Sequence, residues 1–172
     1  MTLRFGILTS SDRSSRGERP DLSGPALGDL VTAQGWTVVH TAILPDELNA
    51  LSEILSTWAD GGEMDVILTT GGTGFAPRDV TPEATNLVID RQAPGLAEAM
   101  RQESRKVTPH AMLSRAVAGV RGKVLIINLP GSPKAAVENL QVVVPVLAHA
   151  VELLKEDPQA EKHHQAPLAT FL

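Results

Sequence analysis

"ILTTGGTGFAPRDVTPEA", Ile67 to Ala84, changes character twice within one short run. Ile67 and Leu68 read as the end of an apolar strand. Gly71, Gly72 and Gly74 then leave the backbone bare, and Arg78-Asp79 leads into Thr81-Pro82, a hydroxyl followed by proline. That pair is a helix-start signal, because proline at the first helical position loses no hydrogen bond. A strand that ends in glycines and restarts as a helix points to an α/β fold.

Outward from this stretch the same grammar repeats. Leu3–Thr9, Thr37–Leu44, Met64–Thr69 and Lys123–Leu129 are short, nearly continuous apolar runs, the pattern of parallel strands covered on both faces. Between them Ser23 can cap a helix running to about Gln34, with Gly35 as its stop. Asp46 can cap another, in which Leu48, Leu51, Ile54, Leu55 and Trp58 recur at helical spacing. Thr81-Pro82, Thr108-Pro109 and Ser132-Pro133 each announce a helix, Gly95 to about Ser104 adds one, and Pro145 to Lys155 forms the last. The expectation is an α/β three-layer sandwich with a mostly parallel central sheet. Residues 1–155 form the single domain, and a polar tail, 156–172, is flexible or docked on a neighbour.

Bulk properties narrow the function. A chain of 172 residues, 42% hydrophobic and 20% charged, suits one globular domain with a real core. The net charge of −5, without a dense basic block, argues against a nucleic-acid partner, as do aromatics limited to Phe5, Trp36, Trp58, Phe75 and Phe171. With no cysteine there is no disulfide framework and no thiolate metal site. No signal-peptide anatomy precedes the first strand, and Pro145, His149 and Glu152 interrupt the longest apolar run, so the expectation is a soluble cytoplasmic protein without a membrane span.

In an open parallel sheet, ligands sit beyond the carboxyl ends of the strands. Four polar loops fall there: one beginning at Ser10, Ser11 and Asp12, one around Asp46, the glycine loop, and "NLPGSPK" from Asn128 to Lys134. Thr70, Gly71, Gly72, Thr73 and Gly74 could cradle an anion with their amides, or simply form a tight turn. The run is not a dinucleotide fingerprint, since Pro77 holds the third glycine's place. Nor does the Gly122-Lys123 pair make a phosphate loop, since Val117 stands where its first glycine belongs. Asp46 and Asp79 could be helix caps; as a pair beside a phosphate-type loop they suit a hard cation such as Mg²⁺. His149 and Glu152 share a helix face at i, i+3, a pairing more often of surface or core than of a metal site. His163-His164 has no cysteine or patterned acid beside it, so zinc is not supported.

"TTGGTGFAPRDVTPEA", with "SDR…DLSG" and "LPDE" before it and "PHAMLSRAVAG" and "NLPGSPKA" after it, resembles the molybdopterin-binding family of molybdenum cofactor biosynthesis. The likeness is to its MogA/MoaB type, the molybdopterin adenylyltransferases, and runs from about Leu3 to Leu154. It implies a homo-oligomer, usually a trimer, working beside other proteins of the pathway. The implied reaction is Mg²⁺-dependent transfer of AMP from ATP to the terminal phosphate of molybdopterin, releasing pyrophosphate. Carried over position by position, Asp46 and Asp79 become the catalytic and metal-binding acids, and Thr70 to Gly74 the nucleotide-phosphate loop. Ser10, Ser11, Asp12, Ser114, Arg115, Pro130, Gly131, Ser132 and Lys134 become pterin or phosphate contacts. Two other readings stand beside it: a MoaB-type protein that binds molybdopterin without transfer, and a nucleotide-processing hydrolase on the same fold, as in competence-damage-inducible proteins.

Overall fold

The chain alternates strands and helices almost throughout. In the computed structural model, which describes residues 1–156, the order begins β1 (Arg4–Ser10), α1 (Asp12–Ser15), α2 (Ser23–Ala33), β2 (Thr37–Leu44) and α3 (Leu48–Asp60). It continues with β3 (Val66–Thr70), α4 (Thr81–Val88), β4 (Arg91–Gln92) and α5 (Pro94–Arg105). A 3₁₀ turn (Pro109–Leu113), β5 (Ala118–Arg121), β6 (Val124–Leu129) and α6 (Pro133–Leu154) complete it. The strands form one sheet in the order β2-β1-β3-β6-β5-β4. The first four run parallel, while β5 is antiparallel to β6 and β4 to β5.

The period-two alternation of strand side chains divides the core into two layers. Phe5, Ile7, Val66, Leu68, Leu125, Ile127 and Leu129 face α2, α5 and α6, with Phe5 stacked on Trp36 at 5.3 Å. Leu8, Ile67, Val124 and Ile126 point to the other side, against α3 and α4. The central strands β1, β3 and β6 are buried almost end to end, as their unbroken apolar runs predict.

Several expectations change. β2 is an edge strand with half its residues exposed, so it is not covered like its neighbours. β4 and β5 are not anticipated by the sequence pattern: at two and four residues they are too short to show a period. α6 is one 22-residue helix from Pro133, with Pro145 inside it rather than at a helix start. A proline within a helix costs on the order of 3 kcal/mol. Burial of Ala136, Leu140, Val143, Leu147 and Val151 against the sheet offsets this, at roughly 1.5–3 kcal/mol per large apolar side chain. By length and composition α6 is apolar enough to cross a bilayer, contrary to the expectation drawn from its polar interruptions; here its apolar stripe packs into the core. Helix starts differ too. Asp21, not Ser23, accepts from the Ser23 and Gly24 amides, and Thr108 starts only the 3₁₀ turn, accepting from the His110 amide. Of the expected tail, 156–172, all but Glu156 lies outside the described residues.

Candidate functional site

The parallel strands β1, β2, β3 and β6 deliver their carboxyl ends to one rim. Backbone hydrogen bonds tie the exits together: Ser11 N donates to Leu44 O at 2.9 Å and Gly71 N to Leu129 O at 3.2 Å. Thr70 Oγ1 donates to Pro130 O at 2.7 Å, which holds the glycine loop against the β6 exit. The loop has to be bare. Gly71 has φ +94°, and a Cβ there would collide with the Ser10 carbonyl. Gly72 has φ +63°, and its missing side chain would run into Thr81 Oγ1. Both are conformations that glycine adopts at no steric penalty.

Asp46 is not a helix cap. α3 begins at Leu48, and the Asp46 carboxylate reaches across to β1 instead. Ser10 Oγ donates to Asp46 Oδ1 at 2.6 Å, and Asp12 N donates to Asp46 Oδ2 at 2.9 Å. The exchange is reciprocal, since Asp46 N donates to Asp12 Oδ1 at 3.1 Å. Arg78, at the far end of the glycine loop, donates to both Asp12 oxygens at 2.8 and 2.9 Å and to Glu47 Oε1 at 2.9 Å. Its guanidinium holds the Asp12 carboxyl below the usual carboxylate range. One arginine thus ties the loops after β1, β2 and β3 together.

Asp79 folds back on its own loop: its Oδ2 accepts from Ala76 N at 2.9 Å. Arg115 fixes that loop from outside. It donates to the carbonyls of Gly74 and Asp79 and pairs with Glu83, whose carboxyl it holds down. Its donors are therefore engaged with the loop, where the family likeness implies a substrate contact.

These loops enclose a cavity of about 470 Å³. Ser10, Ser11, Asp46, Thr70, Gly71, Gly72, Asp79, Gly131 and Ser132, all singled out from sequence, line it. A second cavity of about 280 Å³ takes Thr73, Gly74, Ser114 and Pro130. The boundary falls between chain neighbours: Gly72 and Gly131 face the first, Thr73 and Pro130 the second. Asp12, Arg115 and Lys134 line neither; Lys134 is 79% exposed, 3.7 Å from Glu138. The walls also bring in Arg19 and Asp21 on the first cavity and Arg101, His110 and Asn139 on the second. A lone arginine or histidine in a helix or polar loop carries no local signal for this. Asp21 did, through its place in "DLSG".

The first cavity carries three carboxylates, Asp21, Asp46 and Asp79, against the single arginine Arg19. Three carboxylates repel a phosphate, and a cation between them would offset that charge. Among the described residues no group of three or more acids or histidines could hold a metal alone. That donor set fits Mg²⁺, which is usually held by one or two carboxylates completed by water and substrate phosphates.

Residues 6–149 match a family model described as "Probable molybdopterin binding domain". The chain is 43% identical to the molybdopterin adenylyltransferase of Helicobacter pylori (strain J99) over 89% of its own length and 88% of that protein's. It is 44% identical to the Drosophila melanogaster molybdenum cofactor synthesis protein cinnamon, over 91% of this chain but only 26% of that longer protein. Among solved structures, the molybdopterin biosynthesis enzyme MoaB of Thermus thermophilus superposes with a TM-score of 0.86. The two are 50% identical, over 91% of this chain and 99% of that one. The span matched by the family model takes in the carboxyl ends of all four parallel strands and both aspartates. The chain belongs to the molybdopterin-binding domain family of molybdenum cofactor biosynthesis.

Proposed function

We propose that the protein is a molybdopterin adenylyltransferase: a terminal phosphate oxygen of molybdopterin attacks the α-phosphorus of ATP, the α–β phosphoanhydride bond breaks, and pyrophosphate leaves. The observation that carries this reading is Asp46 and Asp79 lining one cavity with the Gly71–Gly72 backbone. The substrate is its own nucleophile, so no serine, cysteine or histidine has to be activated. The chain's part is to align two phosphates and offset their charge. Asp46 and Asp79 would hold Mg²⁺, which when bound neutralises charge on the phosphate oxygens. Bare backbone at Gly71 and Gly72 lets the triphosphate come close, and Ser10 and Asp12 keep the Asp46 carboxylate turned to its place. The second cavity, walled by Leu113, Pro130 and Ala135 with Ser114 and Asn139 as polar points, suits a flat heterocycle.

The test is incubation of the full chain with freshly released molybdopterin and Mg·ATP, with the pterin followed by chromatography. Adenylylated molybdopterin together with pyrophosphate is the expected result. Pterin binding without product would make the protein a binder only, and ATP cleavage without pterin would make it a hydrolase. The same reading takes the protein as a cytoplasmic homotrimer, so sedimentation equilibrium should return three times the 18.3 kDa chain mass.

A further inference from the structure

Thr81 opens α4 directly behind Gly72, with its own N–H donating to Gly72 O at 3.1 Å. The side chain is 1% exposed, and its hydroxyl has no hydrogen-bond partner. An unpaired buried hydroxyl costs stability, and native structures seldom keep one without a use. Capping does not explain it, because α4 is capped from Val80 with no side-chain bond.

The surroundings point to a use. A Cβ on Gly72 would collide with Thr81 Oγ1 and lie 3.3 Å from both Asp46 Oδ1 and Ser10 Oγ. Three oxygens therefore face the same side of one glycine, and two of them, with Gly72 itself, border the carboxylate cavity. Ser10 spends its proton on Asp46, whereas Thr81 has one to give. Gly72 thus lies against that hydroxyl and borders the cavity at the same time.

We infer that Thr81 is a further ligand-linked residue of this site, whose hydroxyl gains its partner when an oxygen of a Mg²⁺-bound triphosphate settles against Gly72. The inference rests on the adenylyl-transfer reading and deepens it. Gly71 and Gly72 carry no side chain, so any backbone adjustment that brings that oxygen within reach falls on the two residues freest to make it.

Thr81→Val keeps the shape and removes the hydroxyl; Thr81→Ser keeps the hydroxyl. Two measurements on the full chain decide the matter: thermal unfolding without nucleotide in a chelator, and calorimetric titration with Mg·ATP. The Val variant should melt at or above the unaltered protein and bind Mg·ATP about tenfold more weakly, while Ser restores binding. A Val variant that binds as tightly as the unaltered protein overturns the inference alone. So does one that melts earlier without ligand, because the hydroxyl would then already be bonded in the fold. An unaltered protein that does not bind Mg·ATP takes down the adenylyl-transfer reading and this inference together.

Discussion

Asp46 and Gly71 show how single residues divide between local signal and long-range placement. Gly71 was legible: three glycines in four positions at a strand end read as a tight turn or a close backbone approach. The structure supplies the reason, a φ of +94° with the Ser10 carbonyl where a side chain would go. Gly71→Ala should therefore destabilise the fold by about 1–3 kcal/mol, since strain in a disfavoured backbone region is of that order. Thermal unfolding checks this, and Mg·ATP binding should fall with it. Asp46 was legible as a site residue but not in its geometry. An acid ahead of an amphipathic helix looks like a cap, and only the parallel pairing of β1 with β2 brings Ser10 and the Asp12 amide to its oxygens.

At the level of elements, three loops become one site because Arg78 and Arg115 clamp them. Arg78 joins the glycine loop to Asp12 and Glu47. Its hydrogen bonds are the main cause of the lowered Asp12 pKa, so the folded-state value lies below the unfolded one. The associated order is then complete above the ordinary carboxylate range of about 4 and lost as pH falls through the lower, folded value. Arg78→Ala should raise the Asp12 pKa towards that ordinary value, which a carbon-detected NMR titration of the carboxyl reads directly. Adenylyl transfer should slow as Asp46 loses its anchor. Arg115→Met should loosen the loop carbonyls of Gly74 and Asp79, seen as faster amide exchange from Gly74 to Asp79 with little change in the core strands. Neither clamp could be read from sequence, because both join residues more than thirty positions apart. The parallel core strands were legible from their apolar runs. β4 and β5 were not, although Gly122-Lys123 between β5 and β6 is a two-residue hairpin turn.

Over the whole molecule, stability and chemistry sit at opposite ends of the sheet. Asp65, 1% exposed beside the start of β3, accepts from Arg4 at 3.0 Å and pairs with Lys155 at 2.6 Å just beyond α6. Burial pushes its carboxyl up, but the hydrogen bonds from Arg4 and Lys155 outweigh burial and leave it lowered. Its contribution is thus present above the usual carboxylate range and disappears in acid. Asp65→Asn should cost about 1–3 kcal/mol, the range for breaking a buried hydrogen-bonded group, and leave the transfer rate at low temperature unchanged. At the carboxyl end of the sheet, Asp46 and Asp79 carry the opposite expectation, with little to lose in stability and much in rate. The direct test is the single-turnover rate of AMP transfer to molybdopterin in Asp46→Asn and Asp79→Asn, beside the unaltered chain. A fall of about 10²-fold or more in each, with both variants folded, is what two cation-holding carboxylates predict. A variant that transfers AMP within a few-fold of the unaltered rate would contradict the assignment of that carboxylate to the metal and to the reaction.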